Sequence, residues 1–245
     1  MHSLAALVAS SPGLERALRG IDRAAASEAP LLIVGETGTG RSLLAQLVHR
    51  ASSRPAGPLV EADLAAIPSE LFESELFGHR EGAFTGASGN HPGRVGRAQG
   101  GTLVLDQVEE VPLEAQPKLL RLVSERRFSP LGGEERPADV RIVSIGAPDL
   151  KERVARGALR EDLYYRLEVL AVRLPPLRER REDLPALVGA LLADLCARLS
   201  RPVPEVSAAA LEWMSEYRWP GNLRQLRNVL ERALILPADG PLEPR

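Results

Sequence analysis

Three glycines within six residues free a backbone to fold tightly, and a helix starting just after them turns its unpaired amides toward an anion. The chain has this arrangement at Gly35-Glu36-Thr37-Gly38-Thr39-Gly40-Arg41-Ser42, followed by the helical run Leu43 to Val48. Main-chain N–H groups there can cradle phosphates, and the Ser42 hydroxyl can ligate Mg²⁺. The spacing is that of a phosphate-binding loop, with Arg41 standing where lysine is expected. A second segment, Gly100-Gly101-Thr102-Leu103-Val104-Leu105-Asp106-Gln107, is an apolar strand ending in an acid. Asp106 can complete a Mg²⁺ shell beside Ser42. Alone, each segment is also what an ordinary glycine-rich turn or buried strand looks like. Together they predict an ATP and Mg²⁺ site with residues 35–43 as the binding segment.

Such a site must be carried on a sheet. The aliphatic runs Leu31–Val34, Leu59–Ala62, Thr102–Leu105, Arg141–Ile145 and Val169–Leu174 read as buried strands, separated by stretches long enough for helices. That pattern predicts an α/β domain with a parallel sheet covered on both faces. Pro175-Pro176 interrupts it, which gives domains of 1–174 and 175–245. Beyond the break, Leu184, Leu187, Val188, Leu191, Leu192, Leu195, Cys196 and Leu199 form one helical stripe, with Cys196 as core packing. A second helix is expected after Ser207. A third follows Trp219-Pro220-Gly221, with Asn222 as N-cap, Gln225 three residues on, and Leu223, Leu226, Leu230 and Leu234 on one face.

Composition narrows the function classes. The 245 residues carry 31 Lys and Arg against 33 Asp and Glu, a net charge of −2, which excludes a polybasic arm or an acidic tail. No apolar run reaches the roughly 18 residues of a membrane span. Met1 to Ala9 lack the basic start of a secretory signal. The single cysteine excludes a disulfide framework and points to the reducing cytoplasm. His79, His2, His49 and His91 show no metal-ligand spacing. Only Lys118 and Lys151 are lysines, so arginine supplies nearly all positive charge.

A further motif is more specific than the phosphate loop. Gly82-Ala83-Phe84-Thr85-Gly86-Ala87 places an aromatic and a hydroxyl at a loop tip with a glycine near each end, preceded by Glu75-Leu76-Phe77-Gly78-His79. From the residues alone, this is either a tip that presents Phe84 to a partner or a small turn with Phe84 in the core. With these segments the chain, from about Leu7 to Leu236, resembles the central AAA+ domain of bacterial sigma-54-dependent transcriptional activators. The resemblance implies a P-loop AAA+ three-layer sandwich with a parallel sheet, followed by a small helical lid. It implies that Gly82, Ala83, Phe84, Thr85, Gly86 and Ala87 engage sigma-54 in its RNA polymerase holoenzyme. In Leu159-Arg160-Glu161-Asp162-Leu163-Tyr164-Tyr165-Arg166-Leu167 it makes Arg160 and Arg166 trans-acting arginines, which read without it are solvated surface charges. Arg173-Leu174-Pro175-Pro176-Leu177-Arg178-Glu179-Arg180 resembles the link to the lid. Trp219 to Arg224 resembles the sensor II helix, with Arg224 touching nucleotide. Family members form rings, often hexamers, so a homo-oligomer or a mixed ring with an active relative is implied. No helix-turn-helix is visible, and near-neutral charge agrees that this chain alone should not read DNA sequence.

Four departures from the family pattern cluster on the nucleotide chemistry: Arg41 for lysine, Gln107 for the acid after Asp106, Gly146-Ala147 for a polar pair, and Asp63 for an asparagine. A planar guanidinium is not a compact ammonium, and a neutral amide cannot take a proton from water. Glutamine can still orient water in some GTPases. Asp63 and Gln107 either still hydrogen-bond with their roles exchanged, Asp63 keeping part of a base role, or have changed independently. The expectation is an ATP-binding regulator of sigma-54-dependent transcription with slow or absent hydrolysis. The alternative is a fully active ATPase that remodels the closed promoter complex. An unrelated small-molecule kinase would share the phosphate loop but not the Phe84 loop.

Overall fold

The computed structural model describes residues 12–235; the readings placed on residues 1–11 and 236–245 lie outside the described residues. In chain order the helices are α1 (Pro12–Ala17), α2 (Ile21–Ala26), α3 (Arg41–Arg50), α4 (Phe72–Phe77), α5 (Gly93–Arg97), α6 (Gln116–Glu125), α7 (Leu150–Ala155), α8 (Glu161–Leu167), α9 (Leu184–Leu199), α10 (Ala208–Glu216) and α11 (Asn222–Ile235). The strands are β1 (Leu31–Val34), β2 (Leu59–Asp63), β3 (Thr102–Asp106), β4 (Arg127–Phe128), β5 (Arg136–Pro137), β6 (Arg141–Gly146) and β7 (Leu170–Arg173). They fall into two compact units: residues 20–34 with 41–173, and residues 12–19 with 35–40 and 174–235.

The first unit is the α/β unit. Its sheet runs β2-β3-β6-β1-β7, with every neighbouring pair parallel. Leu31, Leu32 and Ile33 are fully buried, as are Leu103 and Leu105, which is why these runs lack the alternation of half-exposed strands. Phe72, Leu76, Phe77, Leu119, Leu122 and Leu163 close a helix layer over this core. Register brings chemistry to one edge. Asp63 pairs with Asp106, Asp106 with Ile145, and Gly146 with Val34, so β1, β2, β3 and β6 end together. The carboxyl ends of parallel strands are where such sheets bind ligands. β6 starts on a fully buried charge: Arg141 donates to the carbonyl oxygens of Ala24 and Ala25, satisfying the C-terminal end of α2. The final strand is shorter than expected, because Val169 is exposed and pairing begins at Leu170.

The second unit contains α9, α10 and α11 around Leu184, Val188, Leu192, Leu195, Cys196, Met214, Trp219, Leu226, Leu230 and Leu234. Cys196 is buried among leucines, as its place in the stripe requires. Ser207 caps α10 by accepting the Ala210 N–H. Asn222 does not act as the expected N-cap. It is fully buried with φ 49°, and its side chain accepts the Leu177 N–H at 2.7 Å while donating to the Thr37 carbonyl at 3.0 Å. Two backbone groups from distant segments, the buried Leu177 N–H and the Thr37 carbonyl, outcompete the helix's own amides for this amide. Gln225 still reaches back, but to the Gly221 N–H at 3.0 Å.

Candidate nucleotide-binding site

Residues 35–40 fold within the second unit. Gly38 and Gly40 have φ of 81° and 104°, and a Cβ on Gly38 would strike the Gly221 carbonyl. A side chain is therefore excluded at Gly38 by both strain and space, and at Gly40 by strain. Four successive loop carbonyls are taken by the protein. Glu36 O accepts Thr39 Oγ1 at 2.8 Å, Thr37 O accepts Asn222, Gly38 O accepts the Leu223 N–H at 2.9 Å, and Thr39 O accepts Arg180 Nη2 at 3.1 Å. With its carbonyls engaged, the loop keeps the Gly38 and Gly40 N–H groups without an acceptor among the described residues, as an anion cradle requires.

Glu36 faces away from this duty. Arg178 forks onto its carboxylate at 2.8 and 2.6 Å, and Asn222 Nδ2 adds a contact at 3.3 Å. The Arg178 hydrogen bonds hold the Glu36 carboxyl below its ordinary range. Arg224 is exposed at the start of α11 beside Gly38, and its guanidinium has no partner among the described residues. Arg178, Arg180 and Asn222 were not singled out as loop supports by the sequence, because nothing local to them encodes contacts some 140 to 185 residues away.

An acidic cluster lies in the α/β unit. Ser42 Oγ donates to Asp106 Oδ2 at 3.4 Å, while Asp106 Oδ1 is buried without a hydrogen-bond partner among the described residues. Burial raises the Asp106 pKa and neighbouring Asp63 adds to the rise, against the pull of Arg41 and the Ser42 hydrogen bond. A hydroxyl and an orphaned carboxylate oxygen side by side form a hard oxygen donor set that fits Mg²⁺. Leu43 follows as an exposed residue in the first turn of α3.

Each departure from the family pattern has a definite place. Arg41 Nη1 donates to the Gly146 carbonyl at 2.9 Å. A Cβ on Gly146 would collide with Leu150, whose side chain already fills that space. Gln107 has φ 64° and donates from Nε2 to Asp63 Oδ1 at 2.7 Å, so the Asp63–Gln107 hydrogen bond is present. A cavity of about 330 Å³ opens beside the pair, lined by Glu61, Asp63, Leu71, Glu75, Arg94 and Asp106 among others. One carboxylate here went unnoticed in the sequence. Glu109 accepts the Ala147 N–H on Oε2 at 3.2 Å, and burial raises its pKa.

The Phe84 loop is closed by Gly82 N–H to Ala87 O and Ala87 N–H to Phe84 O, both 3.0 Å. Gly82 and Gly86 have φ of 76° and 100° with open space around them. Phe84 is 40% exposed, not buried in the core. Its ring meets the edge of His79 at 5.0 Å, and His79 stacks on His91 at 5.5 Å, so two imidazoles form its seat. Arg160 forks onto Asp162 at 3.1 and 2.9 Å, while Arg166 is exposed on α8 with no partner among the described residues.

The sigma-54 interaction domain matches residues 7–173, and the AAA+ ATPase lid domain matches residues 178–245. The chain is 45% identical over 231 residues to the DNA-binding transcriptional regulator NtrC of Azospirillum brasilense, covering 94% of this chain and 48% of that protein. It is 45% identical over 240 residues to the response regulator protein PilR of Pseudomonas aeruginosa, covering 97% of this chain and 54% of that one. The chain thus spans about half the length of these relatives. The crystal structure of NtrX from Brucella abortus in complex with ATP matches with a TM-score of 0.84 at 36% identity, over 91% of this chain and 49% of the other. By sequence, by a five-stranded parallel sheet with flanking helices and by its helical lid, the chain belongs to the sigma-54 interaction domain family of AAA+ proteins.

Proposed function

We propose that this chain is the ATP-binding AAA+ part of a sigma-54-dependent transcriptional regulator, with ATP turnover slow or absent. The carrying observation is the loop at residues 36–39, whose carbonyls are all bound by protein donors, while the Gly38 and Gly40 N–H groups have no acceptor among the described residues and are left for phosphates. Ser42 and Asp106 would hold Mg²⁺, which when bound neutralises charge on the phosphate oxygens. Arg224 adds a positive charge near the loop. The likeness to an ATP complex of NtrX supports the same ligand.

Slow turnover follows from the chemistry of position 107. An amide has no proton affinity to offer water, and Gln107 is further committed to Asp63. A positioned base contributes roughly 10²–10⁴ in rate, and that contribution is missing at the strand end. Phe84 on its exposed tip is the contact for sigma-54, and the working form is a ring, of this chain alone or mixed with an active relative, in the cytoplasm. The reading gives this chain no sequence-specific DNA contact. Among the described residues no helix is long and apolar enough to cross a membrane.

The alternative, a fully active ATPase that remodels the closed complex, is favoured by the unpartnered Arg166 and the exposed Phe84. Phosphate release separates the two readings. The double variant Arg41→Lys/Gln107→Glu is expected to turn over about 10²–10⁴ times faster than wild type. Wild-type turnover at about 1 s⁻¹ or more, a normal enzyme rate, would favour the active enzyme instead.

A further inference from the structure

Three carboxylates crowd the ends of β2 and β3, and they are not equivalent. Asp106 faces Ser42 with a donor set suited to a metal. Asp63 is exposed, and its Oδ1 is occupied by the Gln107 amide at 2.7 Å. Glu109 is set apart by the backbone. The left-handed conformation of Gln107, φ 64°, starts a short 3₁₀ turn over Val108–Glu110. That turn brings the Glu109 carboxylate to the end of β6, where Oε2 accepts the Ala147 N–H at 3.2 Å. Among the described residues the carboxylate makes no ion pair, and Arg153, one of the two cations acting on it, pairs with Glu110 and Asp149 instead.

Strand register locates this carboxylate. Gly146, one residue before Ala147, pairs with Val34, the last residue before the phosphate loop. Arg41, the first residue of α3, donates to the Gly146 carbonyl and is among the positive charges acting on Glu109. Glu109 therefore stands where β1 and β6 end side by side, with Oε2 fixed by a backbone amide and no hydrogen bond from another side chain to its carboxylate among the described residues.

We propose that Glu109 is the general base for the slow ATP hydrolysis of this chain. The inference rests on the nucleotide reading above. The Glu109 carboxylate takes a proton from water as the water oxygen bonds to the γ-phosphorus. The bond from that phosphorus to the bridging β-oxygen breaks, ADP and inorganic phosphate form, and Glu109 returns its proton to solvent. Burial, which holds the Glu109 pKa above the ordinary carboxylate range against Arg41 and Arg153, makes it a stronger base than an exposed glutamate.

The test uses the full chain, a fluorescent ATP analogue for affinity and phosphate release for turnover. Glu109→Gln keeps the shape and the acceptor for the Ala147 amide. It should lower turnover about 10²-fold or more while leaving ATP affinity unchanged within about twofold. Glu109→Asp, which keeps the charge but withdraws it by one methylene, should fall between the two. Three results overturn the assignment: ATP binding by wild type with no measurable turnover, turnover that survives Glu109→Gln, or turnover removed by Asp63→Asn but not by Glu109→Gln. Failure of wild type to bind the analogue would instead overturn the nucleotide reading itself.

Discussion

Asp106 is a half-buried carboxylate whose Oδ1 is buried with no hydrogen-bond partner among the described residues. Its pKa is raised chiefly by burial. For a carboxylate, a folded pKa above the unfolded one means that the charged form destabilises the fold. Stability then falls as pH rises from the unfolded value through the folded one, and the penalty is fully present at neutral pH. Asp106→Asn is therefore expected to raise the melting temperature of the nucleotide-free protein at pH 7. The same variant should lose the extra stabilisation that Mg²⁺ adds to nucleotide, measured by melting with Mg²⁺ or with chelator. A variant that melts lower than wild type without ligand would contradict the account. Arg41 is constrained in a different way: bound to the Gly146 carbonyl, it is an anchored guanidinium rather than a mobile ammonium.

At the scale of elements, two loops are held in opposite manners. The phosphate loop is held by α11 and by the segment before α9, through Asn222, Leu223, Arg178 and Arg180. Asn222→Ala would leave the Leu177 N–H and the Thr37 carbonyl without partners, each worth about 1–3 kcal/mol when buried. The expected outcome is a clear loss of stability by denaturant unfolding together with weaker ATP binding. The Phe84 loop, in contrast, rests on local hydrogen bonds and a histidine seat with open space around Gly82 and Gly86. Phe84→Ala should change stability by only about 0.5 kcal/mol, as surface changes usually do. It should leave ATP affinity intact yet remove binding to sigma-54; retained binding would remove this loop from the proposed contact.

For the molecule as a whole, an arginine supplied across a subunit boundary makes catalysis depend on assembly. Arg166 is exposed and unpartnered among the described residues, whereas Arg160 is forked onto its own Asp162. Arg166→Ala is expected to lower turnover steeply, since trans-acting arginines contribute about 10³–10⁵ in other nucleotidases. The loss should carry over to wild-type subunits mixed with the variant, read as phosphate release against mixing ratio. A purely additive mixture would mean that each subunit works alone. With a net charge of −2, the chain has little long-range attraction for nucleic acid, so any DNA affinity should be weak and salt-sensitive.

The sequence by itself determined the sheet and the motifs. Burial on both faces leaves unbroken aliphatic runs, so the five strands of the parallel sheet could be placed to within a residue at each end, and glycine spacing marked the phosphate loop because only glycine tolerates its backbone. The stripe from Leu184 to Leu199 likewise announced α9 and the buried Cys196. What only the tertiary structure decided are pairings between residues far apart in the chain. Asn222 looked like a helix cap until Leu177 and Thr37 claimed its side chain. Nothing in the sequence marked Glu109, which the left-handed residue at 107 turns onto Ala147. A side chain's role follows from its partners, and local sequence specifies backbone preferences but not which distant group arrives beside it.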